Sequence, residues 1–155
     1  LPLTLFPYTT LFRSFKKISY AMALLELTDK CLTENDPNIE LFDELFKALQ
    51  ALENNAKNNN IVFWFFQYQV LSRLGFRPDF SQTDINNTPL PNPYKSRNSR
   101  AIFDSFENNE PYLQADLGLT SEDRRTVSNY LNSSLRIHFD GLKNLKSLQF
   151  IKETL

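Results

Sequence analysis

Two side chains are of the types that enzymes use as nucleophile and base, but each stands alone. Cys31 is the only cysteine and His138 the only histidine in the chain. Nucleophilic catalysis by serine or cysteine usually needs a histidine base beside the nucleophile. His138 can be interpreted as a general base or as a partly buried helix residue, and the pattern favours the second. Cys31 lies near the end of a predicted helix and is interpreted as a small core residue.

Six acidic residues between positions 104 and 123 offer carboxylates for acid–base chemistry or for a divalent cation. They are Asp104, Glu107, Glu110, Asp116, Glu122 and Asp123. Their spacing lacks the regularity of a calcium-binding loop, so a solvated acidic surface is the favoured interpretation. One cysteine and one histidine, far apart in sequence, do not form a zinc ligand set. We therefore expect no catalysis, no metal and no cofactor.

Length and composition limit the remaining classes of protein. The 155 residues fit a single domain, and a hydrophobic fraction of 41% is enough for a core. A net charge of −1 gives no overall attraction for nucleic acid, although a local basic face is compatible with it. The longest apolar run, residues 61–66, is too short to cross a membrane. Three widely separated glycines exclude a glycine-rich phosphate loop.

The first fourteen residues do not resemble the sequence that follows. A signal peptide is one interpretation, but Pro2, Pro7 and the polar residues 8–10 interrupt its apolar region, and a β-like edge segment is another. Residues 4–14, TLFPYTTLFRS, resemble the translation of a widely used sequencing adapter. We therefore expect residues 1–14 to be a non-native leader and the native sequence to start near Phe15.

Helical spacing of apolar residues dominates the rest of the chain. Residues 15–32 form a predicted helix, and a second runs from Pro37, with Asp36 as its N-cap, to Leu52. The predicted buried stripes are Phe15, Ile18, Met22, Leu25 and Leu32 in the first helix, widened by Leu24, and Phe42, Leu45, Phe46, Leu49 and Leu52 in the second. Charged residues of the second helix, including Glu44, are expected to face water.

Residues 61–74 are the most hydrophobic element and are predicted to form a buried helix, although their first half also fits a strand. Gly75 is the predicted left-handed helix end, and Pro78 prevents continuation. Residues 77–119 are predicted to be an insert of loop, in which residues 101–103 and 111–113 pair as a short β-hairpin.

A last pair of helices is predicted after the insert. Thr120 and Asp123 have the spacing of a capping box. The helix that they begin carries a stripe of Val127, Tyr130, Leu131, Leu135 and His138. Ser147 is a predicted cap for a final short helix containing Leu148 and Ile151.

Charge alternates along this part of the chain. Residues 61–100 hold five basic and two acidic residues, a net charge of +3. Residues 101–123 hold six acids and no base, and residues 124–155 hold six bases and two acids. Basic segments therefore flank an acidic one, which leaves local cationic surfaces available to a polyanion.

Three stretches carry a resemblance to a known family. They are residues 20–52, with a helix, an acidic turn and the helix that starts NIELFDEL; residues 66–80, FQYQVLSRLGFRPDF; and residues 141–151, GLKNLKSLQFI. Their order and spacing over about residues 15–155 resemble the RecO family of bacterial DNA repair and recombination proteins. In the second stretch the residues that fit the family signature are Leu71, Leu74, Gly75, Phe76, Pro78 and Asp79.

The resemblance implies a mostly α fold: the helical C-terminal domain of RecO type over residues 15–155, with the N-terminal OB-fold of the family missing from this chain. Many family members carry a four-cysteine zinc module after the position of Phe80. Residues 81–84 contain no cysteine, so the resemblance implies no zinc here.

The function that the resemblance implies is that of a recombination mediator, cytoplasmic and nucleoid-associated, rather than an enzyme. Such proteins bind single- and double-stranded DNA and anneal complementary strands. With RecR, and with RecF, they load RecA onto strands coated with single-stranded-DNA-binding protein (SSB). The alternative is a helical protein-interaction module without a role on DNA.

Candidate binding residues follow from these roles. DNA binding relies on cations that neutralise phosphates and on aromatic stacking. The candidate DNA contacts are Arg73, Arg77, Arg97, Arg100, Lys143 and Lys146. The helical domain of the family also docks the acidic, phenylalanine-ended tail of SSB, and Tyr68, Leu71 and Arg73 are the candidates for that apolar slot beside a cation. For Leu71, and for Trp64 and Phe65 as base-stacking groups, core packing is the competing interpretation.

Overall fold

Five helices account for the regular structure of the described residues. The computed structural model describes residues 2–32, 37–54, 58–80, 89–111, 117–140, 142 and 146, with side chains from residue 15 onward. Within these ranges the helices are α1 (Pro2–Cys31), α2 (Ile39–Glu53), α3 (Asn59–Arg73), α4 (Ser99–Glu107) and α5 (Ser121–His138), and no strand is present. The prediction of a mostly α fold is confirmed. The expected leader, residues 2–14, is helical and part of α1.

Side-chain contacts fix the directions of the helices. Arg73 at the end of α3 binds Glu40 at the start of α2, so these two helices are antiparallel. Trp64 Nε1 donates to Ser128 Oγ at 3.0 Å and Gln67 Nε2 to Asn132 Oδ1 at 2.9 Å. The residue numbers of the partners increase together along the two helices, so α3 and α5 run in the same direction.

Helix α3 lies at the centre of the core. Ten of its residues are buried, including Trp64, Phe66, Tyr68 and Leu71. A helix that is apolar on all sides must be covered on all sides, and α1, α2 and α5 each contact it. The prediction of a buried helix for residues 61–74 is therefore confirmed over the alternative of a strand.

The end of α3 is a left-handed turn at Gly75, as predicted. Gly75 has φ +90°. Its amide donates to Ser72 O at 3.4 Å, and the amide of Phe76 donates to Leu71 O at 2.7 Å. These two bonds form a Schellman motif, which satisfies carbonyl groups that the helix end would leave without partners.

Replacing Gly75 with alanine is expected to lower the free energy of unfolding by about 1 kcal/mol, because an L side chain is strained at this φ. A Cβ here meets no atom within 4 Å, so the loss comes from backbone strain alone. Chemical denaturation measures the change. Gly118→Ala is the control, since its Cβ also meets nothing and its φ lies outside the left-handed region. Equal stability of both variants would contradict the expected strain.

The predicted β-hairpin is wrong, because residues 101–103 lie inside α4. Ile102, Phe103 and Phe106 are buried on one face of that helix, the i, i+1, i+4 spacing of a helical stripe. The amides of Asn109 and Glu110 close a second Schellman motif on Phe106 O and Ser105 O, with Asn109 at φ 58°. The other predicted strand lies outside the described residues except for Pro111.

The predicted core faces of α1 and α2 are also partly wrong. Phe15, Ile18, Met22 and Leu25 are exposed in α1, and in α2 Phe42 and Phe46 have 52% and 62% of their surface accessible. The buried faces consist of Tyr20, Ala23, Leu24, Leu27 and Cys31 in α1 and of Leu41, Leu45, Ala48 and Leu52 in α2. Since α3 packs against these smaller residues, the larger apolar side chains on the other side remain uncovered.

The helix starts were predicted with mixed success. Helix α2 begins at Ile39 after Asn38, whose Oδ1 accepts a hydrogen bond from the Leu41 amide at 3.0 Å, so the predicted start at Pro37 is wrong; Asp36 lies outside the described residues. The capping box of Thr120 and Asp123 is confirmed. In α5 the predicted stripe is buried except for His138, and the predicted final helix around Ser147 lies outside the described residues.

Candidate functional site

Most of the six predicted DNA contacts lie apart from one another. Arg73 ends α3, Arg77 follows the Gly75 turn, and Arg97 and Arg100 lie at the start of α4. Lys146 is exposed, and its amide donates to Glu26 Oε1 of α1 at 3.1 Å. Lys143 lies outside the described residues. The structure therefore groups only Arg73 with Arg77, and Arg97 with Arg100.

Arg73 acts as a link between two helices. Its guanidinium nitrogens lie 2.9 Å from Glu40 Oε2 and 3.3 Å from Glu44 Oε1, both on α2. Glu44, predicted to face water, is buried beneath this contact. Breaking the pair would leave the buried carboxylate of Glu44 with only the exposed Lys47, whose Nζ lies 3.5 Å from Oε1, and weakening the pairing of a buried charge is costly. The charge of Arg73 is thus already balanced within the protein.

The starts of α4 and α5 meet at one carboxylate. Asp123 is fully buried, and its Oδ1 accepts from the Asn98 amide at 3.1 Å. Its Oδ2 accepts from Asn98 Nδ2 at 2.8 Å and from the Thr120 amide at 2.9 Å. Asn98 precedes α4 and Thr120 is the N-cap of α5. One side chain therefore holds two helix starts together; we call this place the α4–α5 junction.

The surroundings of the Asp123 carboxyl stabilise its ionised form. Burial alone would raise its pKa, but the hydrogen bonds from Thr120 and Asn98 outweigh burial and hold the pKa well below its ordinary value. Donated hydrogen bonds stabilise the charged form of a carboxylate more than the neutral form. The acid cluster predicted to be solvated surface thus contains one buried structural member.

Five exposed cations surround the α4–α5 junction. They are Lys95, Arg97, Arg100, Arg124 and Arg125. Arg97 is next to Asn98 in sequence and Arg124 is next to Asp123, so the two bonded residues bring cations of both segments together. No acidic side chain lies within ion-pair distance of these five among the residues that the structure covers. Sequence reasoning selected two of them and missed Lys95, Arg124 and Arg125.

A sequence signal for the missed arginines exists. Arg124 and Arg125 follow directly after a capping box, in the first turns of a helix, where the macrodipole disfavours cations. Two adjacent cations in that position are not explained by helix stability.

The predicted tail-docking residues are divided between the core and a pocket. Leu71 is completely buried in the core. Tyr68 and Arg73 line a pocket of about 270 Å³ together with Gln69, Ser72, Arg77, Phe106, Glu107 and Asn109. The Tyr68 hydroxyl and the Ser72 hydroxyl are buried and have no hydrogen-bond partner among the described residues. We call this pocket the Tyr68 pocket.

The chemistry of the Tyr68 pocket combines aromatic and polar groups. The Tyr68 and Phe106 rings lie 5.8 Å apart between centroids and tilted, and Phe65 packs on both. Arg77 lowers the pKa of Glu107, but burial and the nearby Asp104 raise it more. The exposed Arg77 guanidinium can therefore bind an anionic group next to these rings.

A larger groove adjoins this pocket at Asn109. It has a volume of about 680 Å³ and lies between α2, α3 and the residues after α4. Asn109 Oδ1 accepts from Gln69 Nε2 at 3.3 Å and thereby fixes the boundary between the two cavities. Ala48, Ala51, Phe65 and Phe66 give the groove its apolar part.

The residues considered for catalysis line neither cavity. Burial raises the pKa of the Cys31 thiol to about 12, so its nucleophilic thiolate is suppressed. The His138 ring stacks on Phe76 at 4.0 Å between centroids. Within the described ranges, no group of three or more His, Cys, Asp and Glu side chains has the geometry of a metal site, and no helix is long and apolar enough to cross a membrane.

Curated proteins that resemble this chain share one description, DNA repair protein RecO. The relative from Streptococcus thermophilus is 30% identical over 87% of this chain and 60% of its own length. The relative from Streptococcus equi subsp. zooepidemicus is 30% identical over 61% of this chain and 37% of its own. The relative from Chloroherpeton thalassium is 27% identical over 58% and 35%. The chain thus spans between about a third and three fifths of these relatives.

A family comparison agrees with these similarities. No solved structure matches the chain. The profile of the family described as recombination protein O, C terminal, matches residues 13–128, which include α2, α3, α4 and the part of α5 that carries Arg124 and Arg125. The chain therefore belongs to the RecO C-terminal family.

Proposed function

We propose that this chain is the helical part of a DNA repair and recombination mediator that acts by binding rather than by catalysis. The single observation that carries the proposal is the family match over residues 13–128. In this role the protein binds single- and double-stranded DNA in the bacterial cytoplasm, at the nucleoid. With RecR and the SSB tail as partners, it promotes strand annealing and RecA loading.

The Tyr68 pocket supports the tail-docking part of this proposal. An acidic peptide that ends in phenylalanine needs an apolar surface and groups that bind carboxylates. Arg77, which is exposed, supplies the second, and the buried rings of Tyr68 and Phe106 form the apolar wall of the pocket beside it. Leu71 contributes from the core by holding α3 in place, and Arg73 by its link to α2.

Arg77→Glu is expected to weaken binding of a labelled acidic, phenylalanine-ended peptide by about tenfold or more, because it replaces an attractive charge with a repulsive one beside Glu107. Fluorescence anisotropy measures the dissociation constant. Arg136→Glu is the matched control, since Arg136 is exposed and does not line the pocket.

A second peptide variant makes the test specific to this pocket. Tyr68→Phe keeps the ring and removes only the hydroxyl that lacks a partner, so a weaker loss of affinity than for Arg77→Glu is expected. Equal binding by wild type and Arg77→Glu would place the tail elsewhere. A folded wild-type chain that does not bind the peptide would refute tail docking by this part of the protein.

The alternative function is a helical interaction module without a role on DNA. The observation that favours it is the row of exposed apolar side chains on α1, formed by Phe15, Ile18, Met22 and Leu25. Exposed apolar surface of this kind is typical of protein interfaces. The two functions differ in the salt dependence of DNA binding, because only phosphate contacts release counterions.

A further inference from the structure

We propose that the α4–α5 junction is a binding surface for the phosphodiester backbone of DNA, formed by Lys95, Arg97, Arg100, Arg124 and Arg125. This inference rests on the proposed DNA role and adds the place where the contacts are made. It transfers the main contribution from Arg73, Arg77 and Lys146 to a surface of which three members, Lys95, Arg124 and Arg125, were not among the candidates predicted from the sequence.

Two segments that are distant in the sequence meet at the α4–α5 junction. The segment 95–100 and the segment 124–125 are separated by more than twenty residues in the sequence. The bonds from Asn98 to both oxygens of Asp123, at 2.8 and 3.1 Å, bring them together. Because Asp123 is buried and accepts at least three hydrogen bonds, the positions of both segments are fixed before any ligand binds. Preorganised cations lose less conformational freedom on binding.

The two segments that meet at the junction carry more cations than carboxylates. Residues 94–101 and 120–125 hold five cations and two carboxylates, and one of these carboxylates is the buried Asp123. Arg100 lies in the first turns of α4, and Arg124 and Arg125 in those of α5. The amides at a helix start already attract anions. Cations at a helix start are repelled by the positive end of the helix dipole, which destabilises the helix when no ligand is bound. A bound phosphate chain offsets that repulsion.

The junction cations are available to a ligand, whereas Arg73 is already bound within the protein. Arg73 is paired with two glutamates, and Arg77 lies in a pocket with Glu107. The five junction cations are exposed and unpaired with acids among the described residues. Arg100 is held over the ring of Tyr94, with its guanidinium carbon 4.9 Å from the ring centroid, which orients the guanidinium. Free, oriented cations on two adjoining segments suit a repeating anion.

DNA is the polyanion that this surface fits better than an acidic peptide. At the junction the cations are distributed over two segments. The apolar slot that an acidic peptide would need lies at the Tyr68 pocket, near the opposite end of α4. Each phosphate contact by a lysine or arginine adds to the salt dependence of binding. The surface thus predicts a steep salt slope without base specificity.

The test is a charge reversal on α5. Arg125→Glu in this 155-residue chain is expected to weaken binding to a labelled oligonucleotide at least fivefold, and Arg124→Glu/Arg125→Glu about thirtyfold or more, each contact reducing the slope of log affinity against log salt by about one. Arg136→Glu changes the same charge in the last turn of the same helix and is expected to stay within twofold of wild type.

Both strand forms serve as probes, a single-stranded and a double-stranded oligonucleotide of equal length. Equal losses on both identify phosphate contacts, and a loss on one form only assigns the surface to that form. Glutamate in the first turns of α5 agrees with the macrodipole, so thermal unfolding is expected at or above the wild-type temperature. A loss of binding would then not come from unfolding.

The outcomes separate this inference from the proposed function. Wild type that binds DNA, together with unchanged binding by the double variant, would overturn the junction as the contact surface and leave the DNA role intact. Wild type that is folded and binds neither strand form at low salt would overturn the DNA role of this part of the protein, and the junction with it. A loss of similar size in Arg136→Glu would indicate a general charge effect and would also overturn the junction.

Discussion

Asp123→Asn is expected to lower the free energy of unfolding by about 2–4 kcal/mol, although it changes a single group in a side chain of almost the same shape. Both carboxylate oxygens accept hydrogen bonds, from Asn98 and from the Thr120 amide. An amide side chain presents a donor in place of one acceptor and removes the charge from the remaining bonds. Buried donors left without acceptors account for a loss of this size.

The same carboxylate predicts how stability depends on pH. Its pKa in the folded protein lies below the ordinary value near 3.8 that it has in the unfolded chain. The unfolded chain therefore binds the proton first as the pH falls. The stability contributed by Asp123 is fully present above about pH 4 and decreases below it, toward the lower pKa of the folded state.

Chemical denaturation at several pH values checks both statements. The stability difference between wild type and Asp123→Asn is expected to be largest above pH 4 and to shrink toward pH 2. Glu122→Gln is the control, because Glu122 is the exposed neighbour in the same helical turn; a change within about 0.5 kcal/mol is expected. Equal stability of the two variants would show that the junction does not depend on the buried carboxylate.

Sequence patterns predicted the helices that are buried or capped by local chemistry. The continuous apolar run around Trp64 and Phe66 has only one solution in a small helical domain, a helix covered on all sides. Gly75 and the pair Thr120 and Asp123 act through contacts within a few residues, so their roles can be read without knowledge of the tertiary structure.

The faces of α1 and α2 were not predictable in the same way. Both helices carry two apolar stripes, and periodicity does not say which one meets α3. The structure buries the side with Ala23 and Ala48 and exposes the side with Met22 and Phe46. Small residues permit the close approach of helices that packing density requires. The choice between two apolar faces is thus made by the neighbour.

The grouping of cations at the α4–α5 junction could likewise not be predicted from the sequence alone. Arg97 and Arg100 were recognisable as cations, but their proximity to Arg124 and Arg125 depends on the bonds between Asn98 and Asp123. Sequence reasoning treated Asp123 correctly as part of a capping box. It did not show that the same carboxylate also holds the start of α4, because that contact spans 25 positions. Tertiary hydrogen bonds leave no periodic trace in a sequence.

Phe103→Ala is expected to be the most destabilising single substitution considered, at about 3–5 kcal/mol. The Phe103 side chain is completely buried, and its ring centroid lies 4.8 Å from that of Phe80 and 5.3 Å from that of Tyr130. Truncation removes the buried ring area and leaves a cavity between the chain after α3, α4 and α5. A Tm lower by roughly 8–16 °C follows for a chain of this size.

The controls for Phe103 test the architecture as well as the residue. Phe42→Ala removes an equal side chain from the exposed face of α2, and a change within about 0.5 kcal/mol is expected. If Phe103→Ala does not fold, Phe103→Leu, which keeps most of the volume, should still unfold at a lower denaturant concentration than Phe42→Ala. Had residues 101–103 been an exposed hairpin strand, truncating Phe103 would cost no more than truncating Phe42. A large difference between these two phenylalanines would therefore establish that α4 is a packed part of the core, and that Arg100, which α4 carries to the junction, is held there by the fold.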